Sequence, residues 1–412
     1  MSRGRAIEGL IGELMTLSAI SEAEPPVVTR VVFSEADLRA RAYVAGLCEA
    51  AGLTVREDAI GNTFARWEGT DPELAPIGTG SHIDAIPNAG LYDGCIGVLG
   101  GLEAIRVLQQ MGVKPRRPIE LVIFTAEEPT RFGIGCLGSR MMGGALTPKQ
   151  ALALRDKEGL GLEELRAAAG FSGALESVAL AQGRFHRFVE LHIEQGPLLE
   201  QKGIDLGLVT HIAAPASVRV SIEGEGGHAG GCLMPGRKDA LAAAAELILA
   251  LESAAKSTGA IDTVGTVGVC EVFPGAVNSI PSRVRLETDV RDIDCERRDG
   301  VLDALYAACK DVEQRRGVVI RTEVVNADPP ATCDSETLAA MEEAALAAGC
   351  SYERMVSRAY HDSLFIARIA PVAMLFIPCR GGVSHRPDEY ASPEWIGHGV
   401  HVLASTLAKL AS

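Results

Sequence analysis

The sequence has little positive charge. Its 39 lysine and arginine residues are outnumbered by 54 aspartate and glutamate residues, which gives a formal net charge of −15 at pH 7. A protein that binds nucleic acid needs a basic face to neutralise the phosphates of its ligand. The charge balance therefore argues against a nucleic-acid partner. It leaves the chemistry of the substrate open, because acidic surfaces mostly serve solubility.

The sequence also lacks a long hydrophobic run, an apolar leader and paired cysteines. The apolar stretch Ala240–Leu251 is shorter than the roughly 20 residues that span a bilayer, and it contains Glu246. Residues 1–5 lead into an amphipathic helical pattern rather than into the apolar core of a signal peptide. The ten cysteines are scattered without a C-x-x-C pair, which fits reduced thiols. These observations predict a cytoplasmic protein without a membrane partner.

Hydrophobic periodicity divides the chain into one interrupted domain and one insert. Apolar strands alternate with amphipathic helices in residues 1–211 and again in residues 330–412, which predicts an α/β domain with functional residues at the carboxyl ends of its strands. Residues 212–329 instead show the order β-α-β-β-α-β, which predicts a compact four-stranded α+β module of the ferredoxin-like type. A chain of 412 residues is long enough for two or three domains.

The loop of residues 80–94 brings three candidates for metal chemistry close together. His82, Asp84 and Asp93 lie in a stretch rich in glycine, proline and asparagine that follows a short apolar run. An imidazole nitrogen and carboxylate oxygens are ligands that Zn²⁺ and Mn²⁺ accept. Asp84 is near enough in sequence to hydrogen-bond the second ring nitrogen of His82. The alternative is that both aspartates stabilise turns and that His82 has no role in chemistry.

Four further candidates follow other apolar strand patterns. Glu127 and Glu128 come directly after the run 119–124, and His192 and His385 occur at the ends of two later patterns. Adjacent residues of an extended chain point to opposite sides, so one glutamate could bind a metal while the other faces the substrate as a general base. Each residue alone fits a solvated strand end or a structural histidine. Together with the preceding loop, they could hold two divalent ions bridged by one carboxylate.

The complete set resembles the M20 family of binuclear metallohydrolases, and within it the hydantoinase/carbamoylase group of amidases. The order H-x-D, D-G, E-E, H and a late S-H, interrupted by an α+β insert, carries this resemblance over nearly the whole chain. The resemblance implies a zinc-peptidase-like catalytic domain with a mixed sheet, and an inserted lid and dimerisation domain. It implies that Glu127 is the general base and that Asp84 orients His82. The metal ligands that it implies are His82, Asp93 (bridging), Glu128, His192 and His385.

Several segments are similar to the members of this group that cleave ureidoglycolate in purine catabolism, giving glyoxylate, ammonia and CO2. Pro129 follows the E-E pair at a position where carbamoylases and allantoate amidohydrolases typically have glycine. Tyr360 lies in a late motif that in those enzymes typically reads G-A-G-H-D. The resemblance therefore predicts a small ureido-carboxylate substrate, ureidoglycolate. Allantoate and N-carbamoyl-L-amino acids are the nearest alternatives, ahead of a peptide substrate or a scaffold that has lost catalysis.

The insert supplies the expected lid residues. By the same resemblance, His228 and Asn278 stabilise the oxyanion in the site of a neighbouring subunit, so the chain is expected to form a homodimer through the insert. Arg291 is expected to bind the substrate carboxylate, for which a guanidinium is well suited. Without the resemblance, a salt bridge with a nearby aspartate such as Asp289 would be the simpler role for Arg291. The remaining candidates for the substrate pocket are Gln195, Tyr360 and His361.

These assignments predict metal-assisted hydrolysis of a ureido C–N bond. Glu127 would take a proton from the attacking water and pass it to the leaving nitrogen. His228 would donate a hydrogen bond to the developing oxyanion, a contribution of about 3 kcal/mol for one such donor. Two divalent ions per subunit are expected, Mn²⁺ before Zn²⁺, because carboxylate-rich sites suit manganese.

Overall fold

A computed structural model of the protein describes residues 3–412. The long helices lie where the apolar spacing predicts them, and Ser34 caps the second one by accepting a hydrogen bond from the backbone N–H of Asp37 at 3.2 Å. None of the helices in the described range is long and apolar enough to cross a membrane. In chain order the helices are α1 (Arg3–Ala19), α2 (Glu35–Ala50), α3 (Cys95–Gln110), α4 (Leu137–Met142), α5 (Pro148–Ala153), α6 (Leu162–Ala168), α7 (Leu198–Lys202), α8 (Ala240–Ser257), α9 (Cys295–Arg316), α10 (Ser335–Ala348), α11 (Ser363–Ile366) and α12 (Pro393–Leu410).

The strands include all the longer runs that the sequence predicts and several short ones that it does not. In chain order they are β1 (Val28–Arg30), β2 (Thr54–Glu57), β3 (Thr63–Trp67), β4 (Ile77–His82), β5 (Ala85–Ala89), β6 (Ile119–Phe124), β7 (Arg187–Ile193), β8 (Leu206–Ile212), β9 (Ala214–Glu223), β10 (Gly227–His228), β11 (Val264–Phe273), β12 (Ser279–Ile280), β13 (Arg283–Asp292), β14 (Val319–Ala327), β15 (Ala331–Thr332), β16 (Tyr352–Ser357) and β17 (Val372–Ile377).

The chain folds into two compact units, of which the first contains a mixed sheet. This unit comprises the residues up to Thr210 together with Thr332–Ser412. The sheet has the strand order β15-β8-β17-β7-β4-β6-β3-β2. Its centre is parallel, because β4 pairs in parallel with β6 and β7, and β7 pairs in parallel with β17. The carboxyl ends of these four strands therefore lie at one edge, where α/β sheets commonly bind ligands.

Helix α3 packs closely against this sheet because glycines line its inner face. A Cβ atom at Gly97 would lie 2.4 Å from the carbonyl oxygen of Leu191 in β7. A Cβ atom at Gly101 would lie 2.9 Å from the side chain of Leu121 in β6. The glycines thus permit an approach that larger residues would prevent. As a result, Asp93, just before the start of α3, is held near the carboxyl ends of the parallel strands.

The second unit, His211–Ala331, is an α+β fold. Its four-stranded antiparallel sheet has the order β11-β13-β9-β14, and α8 and α9 pack against this sheet. Apolar side chains of the strands and the two helices form its own hydrophobic core, which includes Val218, Leu247, Leu286 and Leu305. The order of elements along the chain is the β-α-β-β-α-β order that the sequence predicts. A separate two-stranded ribbon pairs β10 with β12.

The structure differs from the sequence-based prediction just beyond two strand ends. Strand β5 lies inside the loop that follows His82 and pairs antiparallel with β1, where the sequence indicated only turns. Strand β6 ends at Phe124, and Ala126 has a φ of 54°. Positive φ is uncommon for a residue other than glycine and turns the chain out of the extended conformation. Glu127 and Glu128 therefore do not continue the strand, so the alternation of an extended chain, from which their separate roles were predicted, does not apply to them.

Candidate metal centre

Five side chains converge at the carboxyl ends of the parallel strands. They form two overlapping groups, within each of which the ligand atoms lie no more than 4.8 Å from one another. His82, Asp93 and His192 make the first group, and Asp93, Glu128 and His385 make the second. Asp93 belongs to both groups, which is the position that a bridging ligand needs.

The two carboxylate oxygens of Asp93 face different groups. Its Oδ1 atom lies 3.1 Å from Nε2 of His192 and 3.7 Å from Nε2 of His82. Its Oδ2 atom lies 3.2 Å from Nε2 of His385. Nε2 of His385 in turn lies 3.1 Å from Oε1 of Glu128. Nitrogen and carboxylate donors in this arrangement suit two Zn²⁺ or Mn²⁺ ions.

Backbone carbonyl groups orient the two buried imidazoles. Nδ1 of His82 lies 3.0 Å from the carbonyl oxygen of Asp84, and Nδ1 of His192 lies 2.9 Å from that of Ile193. Each Nδ1–H donates to a carbonyl, so each Nε2 is left as the ligand atom and is directed at the shared carboxylate. Gly94 keeps this space clear, because a Cβ atom there would lie 2.4 Å from Nε2 of His82.

The carboxylate of Asp84 has a different partner from the one that the sequence indicates. Its oxygens accept hydrogen bonds from the backbone N–H groups of Glu127 at 3.2 Å and Glu128 at 3.1 Å. The nearest approach of this carboxylate to Nδ1 of His82 is 3.5 Å, longer than the distance to the carbonyl oxygen of Asp84. Asp84 therefore orients His82 mainly through its backbone, while its side chain fixes the turn that carries the two glutamates.

Glu127 lies beside the first ligand group, next to His82, without belonging to either group. Its Oε2 atom is 3.7 Å from Nε2 of His82, and only 11% of its side chain is exposed. Burial raises the pKa of Glu127 well above its ordinary value; the nearby His82 opposes this effect, and the negative charge of Glu128 adds to it. A carboxylate with a raised pKa is a more effective proton acceptor at neutral pH.

The electrostatics of the cluster favour positive charge around Asp93. Burial alone would raise the pKa of Asp93, but hydrogen bonds from His192, His385 and His82 hold it well below its ordinary value. Hydrogen bonds to Asp93 and Glu128 raise the pKa of His385 to about 11. A divalent ion supplies the same kind of charge at the same place, so metal binding is expected to displace protons from these imidazoles.

Residues outside the two groups hold Asp93 in place, and one of them, Glu389, could not be predicted from the sequence. Oε1 of Glu389 accepts hydrogen bonds from the backbone N–H groups of Tyr92 at 2.7 Å and Asp93 at 3.0 Å. Burial, followed by the charge of Asp93, raises the pKa of Glu389 to about 7. Ser384 Oγ lies 2.5 Å from Asp93 Oδ2 and Gln195 Nε2 lies 2.8 Å from the same oxygen. Glu389 is separated from Asp93 by 296 positions, so no local pattern could reveal this contact.

A third cluster of potential ligands is a hydrogen-bonded support behind the first group. Glu190, His192 and His361 also place ligand atoms within 4.8 Å of one another. Both oxygens of Glu190 already accept hydrogen bonds, from Ser81 Oγ at 2.7 Å and from Ser363 Oγ at 2.6 Å. The ring of His361 packs edge-on against that of His192 with 4.7 Å between their centroids, and His361 is only 2% exposed. The position of His361 therefore fits support of the candidate metal ligand His192 better than direct contact with substrate.

The other two pocket candidates of this unit differ in their surroundings. The hydroxyl of Tyr360 lies 3.4 Å from Nη2 of Arg140, and its ring stacks on Phe365. Gln195 lies next to the ligand groups with a φ of 54°, and its buried Oε1 has no hydrogen-bond partner within residues 3–412. Gln195 therefore has an acceptor left for a ligand.

The lid candidates lie in the second unit, two of them on one ribbon. His228 ends β10, and the backbone N–H of Ala229 donates to the carbonyl oxygen of Asn278 at 2.8 Å. Nδ1 of His228 accepts hydrogen bonds from the backbone N–H groups of Gly230 at 3.2 Å and Gly231 at 3.1 Å. In the neutral ring the proton therefore resides on Nε2, which makes His228 a hydrogen-bond donor at that atom.

Arg291 forms the salt bridge that the sequence offered as the alternative to substrate binding. Its Nε and Nη2 atoms lie 2.8 and 3.0 Å from the two carboxylate oxygens of Asp289. The side chain of Arg291 is 29% exposed. A surface pair of this kind contributes little to stability, so exchanging Asp289 for another carboxylate would cost little.

Comparison with known proteins places this geometry in a family context. The sequence profile described as Peptidase family M20/M25/M40 matches residues 78–409, a range that contains all five ligand candidates. A ureidoglycolate hydrolase of Arabidopsis thaliana is 51% identical over 409 residues, covering 98% of this chain and 86% of that protein. An N-carbamoyl-L-amino acid amidohydrolase of Geobacillus stearothermophilus is 40% identical over 405 residues, covering 98% of each.

Solved structures agree with the sequence matches. The crystal structure of AtUAH in complex with glyoxylate superposes with a TM-score of 0.89 at 50% identity, covering 98% of this chain and 97% of that one. An amidase of the hydantoinase/carbamoylase family from Burkholderia multivorans superposes with a TM-score of 0.87 at 33% identity, covering 98% of each chain. Both units of the present fold thus have counterparts over nearly their full length.

Proposed function

The chain belongs to Peptidase family M20/M25/M40 and is a hydrolase that acts on C–N bonds. On that premise we propose that it cleaves the ureido C–N bond of ureidoglycolate, and that glyoxylate, CO2 and ammonia (two ammonia per ureidoglycolate and water consumed) are the end products once the fragments have broken down. The observation that carries the proposal is the 51% identity to a ureidoglycolate hydrolase over 98% of the chain, against 40% to a carbamoylase over the same share. Pro129 and Tyr360, which distinguish the chain from carbamoylases in its motifs, support the same choice.

We propose two divalent ions per subunit, with Mn²⁺ before Zn²⁺. His82 and His192 would hold one ion, Glu128 and His385 the other, and Asp93 both, because the donor atoms of these residues already form two groups around Asp93. When bound, the ions would polarise the carbamoyl carbonyl and lower the pKa of the attacking water.

Glu127 is proposed as the general base and acid. Its carboxylate lies next to His82 of the first ligand group, and Asp84 accepts a hydrogen bond from its backbone N–H. It would take the proton of the attacking water and return it to the leaving nitrogen, as a carboxylate with a raised pKa is suited to do. Gln195, with its unpartnered Oε1, is proposed as a substrate contact beside Asp93.

The lid residues are proposed to complete the site. His228 would donate from Nε2 to the oxyanion, which fits the tautomer that its backbone contacts favour. Asn278, just before the facing strand β12, would act with it. Arg291 would exchange its partner Asp289 for the substrate carboxylate.

Replacing Arg291 by lysine tests this role. The Arg291→Lys variant should show a KM increased roughly tenfold, because a fork of two charge-assisted hydrogen bonds is lost. An unchanged KM would exclude Arg291 from substrate binding.

The substrate proposal is tested by comparing ureidoglycolate with its nearest rivals. The protein, reconstituted with Mn²⁺ and separately with Zn²⁺, is assayed for ammonia release from ureidoglycolate, allantoate and several N-carbamoyl-L-amino acids. We expect kcat/KM to be higher for ureidoglycolate by roughly 100-fold or more, because a pocket that hydrogen-bonds a substrate discriminates strongly against analogues. If the kcat/KM for an N-carbamoyl-L-amino acid equals or exceeds that for ureidoglycolate, the chain is a carbamoylase and the proposal fails.

We further propose that the chain is a homodimer in which His228 and Asn278 act in the partner's site. A hybrid experiment tests this arrangement: inactive Glu127→Gln and His228→Ala proteins are mixed, dissociated and reassociated. In a heterodimer, the subunit that keeps Glu127 would receive His228 from its partner, so activity should return. If His228 acts within its own subunit, or if the protein is monomeric by sedimentation, the mixture should stay inactive.

A further inference from the structure

The buried thiol of Cys136 lies against the proposed general base. Its Sγ atom lies 3.4 Å from Oε1 of Glu127, within the range of an S–H···O hydrogen bond. The other oxygen of Glu127, Oε2, is the one nearer His82. The thiol therefore contacts the oxygen that faces away from the ligand histidine and leaves the other oxygen directed at the site.

The backbone fixes this contact from both sides. The N–H of Cys136 donates to the carbonyl oxygen of Glu127, and the N–H groups of Leu137 and Gly138 donate to those of Ala126 and Thr125, all at 2.8 Å. The segment that begins at Cys136 thus lies antiparallel to the turn that carries the base. Cys136 is the partner of Glu127 in this pairing, which holds the two backbones side by side and keeps Sγ within reach of the carboxylate.

Cys136 has a backbone conformation that is uncommon for a residue other than glycine. It has a φ of 56° and a ψ of 37° in the left-handed region, and it precedes α4 without capping it through its side chain. Such conformations cost of order 1–3 kcal/mol in a residue other than glycine and cluster at functional sites. Cys136 is fully buried. Burial and then the charge of Glu127 raise the pKa of the thiol well above its ordinary value, so it remains an S–H donor.

We infer that Cys136 is a positioning residue for the hydrolytic reaction: its thiol donates a hydrogen bond to Oε1 of Glu127 and holds the carboxylate with Oε2 turned toward the ligand groups. The inference rests on the proposed role of Glu127 as general base. It does not depend on which ureido compound is the substrate.

Variants at Cys136 separate positioning from packing. In Cys136→Ala the donor is lost, so kcat should fall about tenfold for the best substrate while KM and metal content stay the same, because a slightly misdirected catalytic group costs rate more than binding. Cys136→Ser restores a donor and should recover most of the rate. Cys48→Ala is the matched control: Cys48 is equally buried, in α2, and its loss should lower stability without changing kcat. Equal losses in the alanine and serine variants, or an unchanged kcat in the alanine variant, would overturn the inference.

A spectroscopic test is independent of turnover. The S–H stretching band of Cys136 is identified in the infrared difference spectrum between the wild-type protein and Cys136→Ala. In Glu127→Gln this band should move to higher frequency, because an amide oxygen accepts a weaker hydrogen bond than a carboxylate. A band that does not move would show that the thiol does not donate to Glu127, whether or not the substrate proposal holds.

Discussion

Replacing Glu127 by glutamine is expected to reduce kcat by roughly 10²- to 10⁴-fold, the contribution that general acid–base catalysis typically makes. The reason is that the amide keeps the size of the side chain but cannot accept the proton of the attacking water. The content of bound metal should not change, since Glu127 belongs to neither ligand group. Steady-state kinetics and elemental analysis of the same preparation measure both quantities.

A variant on β6, the strand that precedes Glu127, serves as the control for effects on stability. Glu120 also belongs to the segment that leads to the site, but it is buried in β6 and pairs with Arg184. Glu120→Gln should lower the unfolding temperature and leave kcat close to that of the wild type. Normal turnover by Glu127→Gln would refute its role as base, and loss of metal from that variant would mean that Glu127 is a ligand instead.

Replacing Asp93 by asparagine is expected to abolish binding of both ions together. Each oxygen of Asp93 faces a different ligand group, and the side chain also lowers the energy of positive charge in the cluster. Affinity should therefore fall at both sites, by more than the roughly 10- to 100-fold that loss of an outer-shell partner costs. Equilibrium dialysis with Mn²⁺, followed by elemental analysis, gives the stoichiometry.

A ligand that belongs to one group only supplies the contrast. Glu128 contacts His385 and is absent from the group of His82 and His192. Glu128→Gln should therefore weaken one ion and retain the other, whereas Asp93→Asn should lose both. If the Asp93 variant keeps one ion at wild-type affinity, Asp93 is a terminal ligand and the two sites are independent.

Three of the five candidate ligands could be selected from the sequence by their place at a strand end, and the structure brings all five candidates together. His82, Glu128 and His192 follow or end buried runs that any α/β fold brings to one edge. The order of secondary-structure elements in the insert was equally accessible, since strict alternation and helical spacing distinguish its strands from its helices. The family resemblance then assigned roles that no single motif could.

What the sequence could not supply were contacts that depend on unusual backbone conformation or on distant chain segments. The left-handed conformation of Ala126 sets the direction of the chain at Glu127, and an alanine at this position does not predict that conformation. Glu389 reaches Asp93 from the far end of the chain, and Cys136 meets Glu127 only because an irregular segment folds back. The sequence predicted Asp84 as the orienting partner of His82. Its carboxylate instead accepts hydrogen bonds from the backbone N–H groups of the two glutamates, which the same turn places beside it.

The parallel pairing of β7 with β17 has a consequence for the order in which the site can form during synthesis. Every residue of the first ligand group precedes the insert in the chain, whereas His385, in the loop after β17, follows it. A nascent chain therefore presents the complete first group while the second still lacks its histidine. Only when the last strand has left the ribosome and joined the sheet beside β7 can His385 complete the second group. The proposed second ion would therefore bind after the first could.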